Sequence, residues 1–397
     1  MTKMQLPHVD ILIAARNEAQ RLGSCLMALR TQDYPAECLQ IYVIDNGSSD
    51  ATRQVAAMHQ VHVLREPKRG AAAARNTGLA RCSGELVGFL DAHCVPEKNW
   101  VRLMAEEFRQ PQLGGCQGYI ENKAVNPRVQ KYLDKTRALS NERVIEDTVS
   151  GKRNIYPWIL SGNCMYRRAA LNDAGFFNED LEACEDVDLS WRVVLRGYQL
   201  GYVPSARLIH YNCDSWPRFL SKGLRYGRGA AALASVYKPH GAGEKFLPAQ
   251  IWSRKPERLL SGLYYWLGYR QMEWRLRLKL QRPPAMPAVP QPLEKFRAAF
   301  HWSSSLAIRI SADTIFWFRN DEQTSVIVHF PTRLRFVLER VGDFIWRRIV
   351  KGINRDTIVQ ELLAHYGVAP VTAAADLDDF VAELLEAGIL VPAPTET

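Results

Sequence analysis

Between residues 8 and 121 the chain alternates continuous apolar runs with amphipathic stretches. The runs VDILIAA (9–15), IYVID (41–45), VHVL (61–64) and LVGFLD (86–91) are apolar or β-branched almost throughout. That is the pattern of strands buried on both faces. Between them, EAQRLGSCLMALRTQ (18–32) and GAAAARNTGLARC (70–82) read as helices. Such alternation predicts a mostly parallel sheet with crossover helices. Ligands of these sheets sit beyond the carboxyl ends of the strands. Asp45, Asp91 and the stretch Ala15-Arg16-Asn17-Glu18 all fall there.

Past residue 215 the pattern changes. FLSKGLRYGRGAAALASVYK (219–238) and RLLSGLYYWLGYRQMEWRLRLKLQR (258–282) read as helices carrying Lys and Arg between aromatics. They suit either a membrane-surface helix or helices packed on the preceding domain with a basic solvated face. RPPAMPAVPQP (282–292) is a Pro-rich linker. Beyond it, the strand-like runs TIFWFR, SVIVHF and RLRFVLE precede the helical runs GDFIWRRIVKG, RDTIVQELLAHYG and AADLDDFVAELLEAG. This order predicts a small winged-helix-like α+β domain. The expected organisation is 1–215, a helical extension with linker at 216–292, and a separate module at 293–397.

Composition narrows the partners. A hydrophobic fraction of 47% supplies a real core, and the formal net charge of +9 favours anionic partners. The eight cysteines form no CxxC spacing, so they read as reduced thiols of a cytosolic protein. The N-terminal stretch MTKMQLPHVD has no apolar core of a secretory signal. The longest apolar stretch, LLSGLYYWLGY (259–269), is far short of the ~20 residues of a membrane span. The expected location is cytoplasmic.

The carboxyl edge of the predicted sheet collects candidate chemistry. DNGSSD (45–50) puts a carboxylate at a strand end, then a turn, then Ser49 or Asp50 as a helix cap. KRGAAAARNTG (68–78) sets Arg69 and Arg75 beside small residues, where a backbone approaches a ligand closely and guanidinium groups meet phosphate oxygens. GFLDAHCVP (88–96) ends a buried strand on Asp91 and His93. EACEDVDL (182–189) places four acids in seven residues at the start of a helix, more than capping and the helix dipole require.

With GNCMYRRAAL and EACEDVDLSWRVVLRGYQLGYVPSARLIH added, these motifs make residues 8 to about 215 resemble a family-2 glycosyltransferase of the GT-A nucleotide-diphospho-sugar fold. The resemblance implies that Arg16, Glu18 and Asp45 hold the nucleoside, with Arg69 and Arg75 near the diphosphate of a UDP-sugar donor. It makes DAH the metal-binding DxD element, with His93 in place of the last acid. Asp91 is then a metal ligand, with His93 and His210 as candidates; a core histidine at a strand end is the other reading of His210. Imidazole suits Mn²⁺ better than Mg²⁺, so the expected cofactor is a divalent cation, Mn²⁺ before Mg²⁺. The resemblance also assigns the catalytic base of inverting transfer to the Glu-Asp pair, Asp186 first and Glu185 second. Asp188 is expected to support local structure or the nucleotide site, and Trp191 to be core.

The terminal module resembles the PqqD-like domains that recognise leader peptides of ribosomally made precursors. The resemblance implies that a leader adds as a strand beside 333–339, touching Arg335, Phe336, Val337 and Leu338. A winged-helix shape also suggests DNA binding, but the helix that would enter a groove carries Asp376, Asp378, Asp379, Glu383 and Glu386 and no basic residue. Phosphate would repel it, so no nucleic-acid partner is expected. Together the two resemblances imply an inverting transferase that glycosylates a precursor peptide. A glycan-assembly enzyme is the alternative, followed by a non-catalytic peptide-binding scaffold.

Overall fold

The computed structural model describes residues 6–136, 158–212, 215–237, 256–278, 300–302, 306–311, 314–319, 324–329, 334–367 and 369–393. The chain divides into two compact units, Met1–Pro290 and Gln291–Thr397.

The first unit is built on an eight-stranded sheet. Its strands are β1 (Val9–Ala15), β2 (Leu39–Asp45), β3 (His62–Arg65), β4 (Leu86–Asp91), β5 (Cys94–Pro96), β6 (Leu113–Lys123), β7 (Asn163–Arg167) and β8 (Gln199–Tyr211). They lie in the order β3-β2-β1-β4-β7-β6-β8-β5. The four expected runs form the parallel half, β3-β2-β1-β4. The chain moves outward from β1 to β3 and then returns to the other side of β1. The loops after β1 and β4 therefore part over a crevice at their carboxyl ends, which is the ligand position of such sheets.

Helix Ala19–Arg30 buries Leu22, Cys25, Leu26 and Leu29, the i, i+3, i+4, i+7 stripe of a helix on a sheet. Helix Ala71–Leu79 packs on β1 and β2. Its Gly78 leaves room for Leu12 and Ile44, which a Cβ would meet at 3.0 Å.

In the other half of the sheet, β7 is antiparallel to β4 and β6, β8 is parallel to β6, and β5 is antiparallel to β8. The sequence pattern hides β6, LGGCQGYIENK, because its glycines are close approaches rather than turns. A Cβ at Gly114, Gly115 or Gly118 would meet Tyr198, Tyr166 or the Ala206 carbonyl within 2.1–2.7 Å.

Helices Trp216–Tyr237 and Pro256–Arg277 form a tightly crossed pair. Each contributes a glycine to the crossing: a Cβ on Gly227 would strike the Tyr265 carbonyl, and one on Gly268 the Leu224 carbonyl.

In the second unit, β11 (Thr314–Arg319), β12 (Thr324–His329) and β13 (Leu334–Glu339) form an antiparallel meander, within a residue or two of the expected runs. Among the described residues β13 pairs only with β12. A second small sheet, β14-β10-β9, joins Leu390–Pro392, Ala307–Ile310 and Phe300–His301. Strands of two to four residues are too short to show a period, and the sequence did not announce them. The helices are Val341–Val350, Arg355–Tyr366 and Pro370–Glu386. Asn354 caps the second by accepting from the Thr357 N–H at 3.0 Å. Ile308, Trp346, Ile358, Leu377, Leu384 and Ile389 are buried in the core between them.

Candidate active site

The turn after β1 is stapled to the loop after β2. Asn17 adopts φ 56°, and its N–H donates to Ser48 Oγ at 3.0 Å while its Oδ1 accepts from the Ser49 N–H at 2.9 Å. The Glu18 N–H donates to Thr52 Oγ1 and the Ala19 N–H to Asp50 Oδ2. Asp45 is buried, accepts from the Ser48 N–H at 3.1 Å and lies 3.5 Å from Arg53. Arg16 and Arg69 are exposed at the rim of this edge.

Strand β4 delivers Asp91 and, two residues on, His93. A Cβ on Gly162 would sit 2.6 Å from Asp91 Oδ2, so glycine there leaves the carboxylate its position. His93 is held at both ring nitrogens: Nδ1 lies 3.2 Å from Glu18 Oε1, and Nε2 lies 3.2 Å from His210 Nε2. His210 is brought in by β8, whose pairing with β5 sets it opposite Cys94; its Nε2 is 3.9 Å from Asp91 Oδ2. Burial, helped by the neighbouring His93, pushes the His210 imidazolium pKa down to about 3, so the ring is neutral. Burial works against the Asp91 carboxylate, but the positive charges around it, His93 and Arg75 first, outweigh it and hold its pKa below the ordinary value.

This donor set fits a divalent cation. Two Nε2 atoms 3.2 Å apart are spaced as neighbouring ligands at bond lengths of about 2.0–2.2 Å. Glu18 on the far nitrogen of His93 orients that ring as a carboxylate behind a ligating histidine does. The ligand atoms that all lie within 4.8 Å of one another are those of Asp91, Cys94 and His210, and His93 joins them through its contact with His210. Burial pushes the Cys94 thiol well up, so it stays protonated there.

Arg75 crosses from the metal-ligand cluster to the acid cluster. It is buried, with Nη1 2.8 Å from Glu185 Oε1 and Nη2 3.5 Å from Asp91 Oδ1. Glu185 and Asp186 open the helix Glu185–Leu195. Asp186 accepts from its neighbours' backbone: the Val187 N–H at 2.9 Å and the Ser161 N–H at 3.4 Å. Burial and the adjacent Glu185 charge push its carboxyl up to about 7, against the pull of Arg75. Asp188 is fully buried and faces the other way, paired with Arg192 at 2.7 Å and accepting from Tyr237 Oη at 2.7 Å. Trp191 is core.

The structure thus brings together Asp91, His93, His210, Glu18, Arg75, Glu185 and Asp186, and leaves Arg16, Asp45 and Arg69 outside that cluster. Sequence reasoning missed Cys94 and Lys222. Lys222, on helix Trp216–Tyr237, adds its positive charge at Asp91 and His210. Cys94 directly follows His93 in the same motif and reads as an ordinary buried thiol, whereas Lys222 comes from remote sequence, where only the basic run around it hinted at a role. Of the candidate peptide contacts, Phe336 packs at the edge of the second unit's core and Leu338 is buried within it. The side chains of Arg335 and Val337 lie outside the described residues, although their backbones are registered opposite Val328 and Val326.

Comparison with known proteins follows the same division. Residues 10–175 match the model of Glycosyl transferase family 2, and residues 325–390 match that of Coenzyme PQQ synthesis protein D (PqqD). The Pre-mycofactocin glycosyltransferase of Mycobacterium tuberculosis (strain ATCC 25618 / H37Rv) is 29% identical over 238 residues, 57% of this chain and 47% of that protein. Glycosyltransferase AglE of Haloferax volcanii is 28% identical over 232 residues, 56% of this chain and 73% of that protein. The mannosyltransferase PcManGT from Pyrobaculum calidifontis, solved with GDP-Man and Mn²⁺, superposes with a TM-score of 0.47 at 19% identity, covering 70% of this chain and 76% of that one. The chain spans about half the length of the mycobacterial relative.

Proposed function

On a chain that carries a family-2 glycosyl transferase domain and a PqqD domain, we propose an inverting, metal-dependent transferase. It moves a sugar from a nucleotide-diphosphate donor, a UDP-sugar first, to a ribosomally made precursor peptide recruited through its leader. The observation that carries this reading is the presence of both domains in one chain. The similarity to a protein named Pre-mycofactocin glycosyltransferase supports the glycosyl-transfer part of the reading.

The donor spans the carboxyl edge of the parallel strands. Arg16 and Asp45 meet the nucleoside and Arg69 the phosphates. Asp91, His93 and His210 would hold a divalent cation, which would supply positive charge opposite the departing diphosphate. Glu18 keeps His93 turned toward that position. Asp186 is the base: the acceptor's proton passes to its carboxylate as the acceptor atom bonds to the anomeric carbon. The bond from that carbon to the diphosphate breaks, and the electron pair leaves with the nucleoside diphosphate. Glu185 is taken up by Arg75, which leaves Asp186 for the proton. Two imidazole donors favour Mn²⁺ over Mg²⁺. The leader adds at the edge of β13 away from β12, where main-chain hydrogen bonds give affinity and side-chain pockets selectivity.

The test is mass spectrometry of a precursor peptide incubated with full-length protein, nucleotide-sugar and metal. A mass gain of one sugar in Mn²⁺, smaller in Mg²⁺ and absent for Asp91→Ala, is expected. Equal transfer in EDTA would overturn the metal assignment. Transfer to a glycan or lipid-linked acceptor but to no peptide would favour polymer assembly. Poly-beta-1,6-N-acetyl-D-glucosamine synthase of Staphylococcus epidermidis, 27% identical over 216 residues, makes that the second reading.

A further inference from the structure

Helix Pro256–Arg277 has two faces of different character. Its inner face packs on helix Trp216–Tyr237 through the Gly227–Gly268 crossing, with Gly262, Gly268 and Met272 buried. Its outer face carries Leu260, Leu263, Leu267 and Trp274, with Leu278 just past its end, all between 37% and 66% exposed. At about 100° per residue these five fall within an arc of roughly 60°, opposite the glycine face, over a length of about 27 Å. Scattered surface leucines need no explanation. A single stripe on the far side of a packed helix does.

Charge says what covers it. Arg270 and Arg277 lie along one flank of the stripe and Arg275 along the other, all three exposed. Glu273 is turned off the stripe, where it pairs with Arg270 and with Arg277 at 3.1 Å. Two copies meeting stripe to stripe would bring arginines against arginines. An anionic surface would meet them favourably. Among the described residues no helix is long and apolar enough to cross a membrane, so the helix can lie on a bilayer but not span it.

We infer that helix Pro256–Arg277 is an interfacial helix that seats the first unit on an anionic lipid surface. The stripe enters the headgroup–acyl boundary, Trp274 anchors at that depth, and the flanking arginines meet lipid phosphates. This stands apart from the peptide-glycosylation reading, because it uses none of the site residues.

The experiment is co-sedimentation of the full chain with vesicles of phosphatidylglycerol and phosphatidylcholine, and with phosphatidylcholine alone. Sedimentation with the anionic vesicles, weakened by salt, is expected. The double variant Leu267→Glu/Trp274→Glu should lower partitioning by about tenfold or more, since it removes the inserted apolar area. Gln at Arg270, Arg275 and Arg277 should lower it by roughly tenfold on anionic vesicles only. All these positions face solvent, so circular dichroism and donor hydrolysis should be unchanged, which separates this test from one of catalysis. Wild-type protein left in the supernatant with both vesicles would overturn the inference. So would a dimer in solution that Leu267→Glu converts to monomer, because the stripe would then belong to a second copy.

Discussion

Glu185 and Asp186 are adjacent in sequence and different in surroundings. Glu185 meets a guanidinium at 2.8 Å, while Asp186, among the described residues, accepts from backbone N–H groups beside that negative neighbour. Burial and the Glu185 charge push Asp186 up to about 7, the range suited to a base working near neutral pH. The sign follows: the base acts as the carboxylate, so kcat/KM should rise with pH through a limb near 7 and fall away below it. Because Arg75 pulls the Asp186 pKa down, Arg75→Gln should move the limb to higher pH. Asp186→Asn should lower turnover by about 10²-fold or more with donor affinity nearly unchanged. A pH–rate profile with a donor-binding titration checks all three; a limb unmoved by Arg75→Gln, or an unchanged rate in Asp186→Asn, would shift the base elsewhere. At this scale most of the site was legible, since Asp91, His93, Glu185 and Asp186 sit in short motifs. Cys94 was not, because a buried cysteine beside His93 reads as core, and Lys222 was not, because helix packing brings it in from remote sequence.

The helix bearing the candidate base is braced by an element that sequence alone left ambiguous. Helix Trp216–Tyr237 touches it at several points. Tyr237 Oη donates to Asp188 at 2.7 Å, the Tyr237 ring packs edge-on against Trp191 at 4.9 Å, and Arg228 pairs with Glu182 at 2.8 Å. A Cβ on Gly229 would meet the Ala183 carbonyl at 2.5 Å. Asp188 is fully buried, so Tyr237→Phe takes a donor from a carboxylate that water does not reach. Such a change costs about 1–3 kcal/mol, and chemical denaturation should show a lower midpoint with unchanged slope; an unaltered midpoint would mean that Arg192 satisfies Asp188 alone. The element scale also shows where pattern reading stops. β1, β2 and β4 were legible because strands buried on both faces are continuously apolar, whereas β3 is an exposed edge strand read from its short β-branched run. β6 was not, because Gly114, Gly115 and Gly118 answer to the side chains and backbone they touch rather than to a period. β9, β10 and β14 hold two to four residues each, too few for alternation to register.

At the scale of the whole molecule, the donor-site candidates fall before residue 211, and the PqqD match lies between 325 and 390. The two units each have a core of their own. If the second captures a leader, it acts by raising the local concentration of the peptide near Asp186 and contributes nothing to bond making. Deleting 291–397 should therefore leave hydrolysis of the nucleotide-sugar intact. Peptide modification should fall through a raised peptide KM, with turnover at saturating peptide little changed. Leader peptide added in trans should compete with substrate for the full chain and leave the residual activity of the truncated chain untouched. A proline at Phe336 offers a sharper version. In β12–β13 pairing Phe336 stands opposite Ile327, and proline there removes an N–H from the strand at which the leader would add. Leader binding by that variant, measured by calorimetry alongside its circular dichroism, separates lost docking from lost fold. Should the truncated chain modify peptide as well as the full chain at low substrate concentration, the second unit has no part in recruitment. The transferase domain would then have to select its acceptor by its own contacts around Asp186.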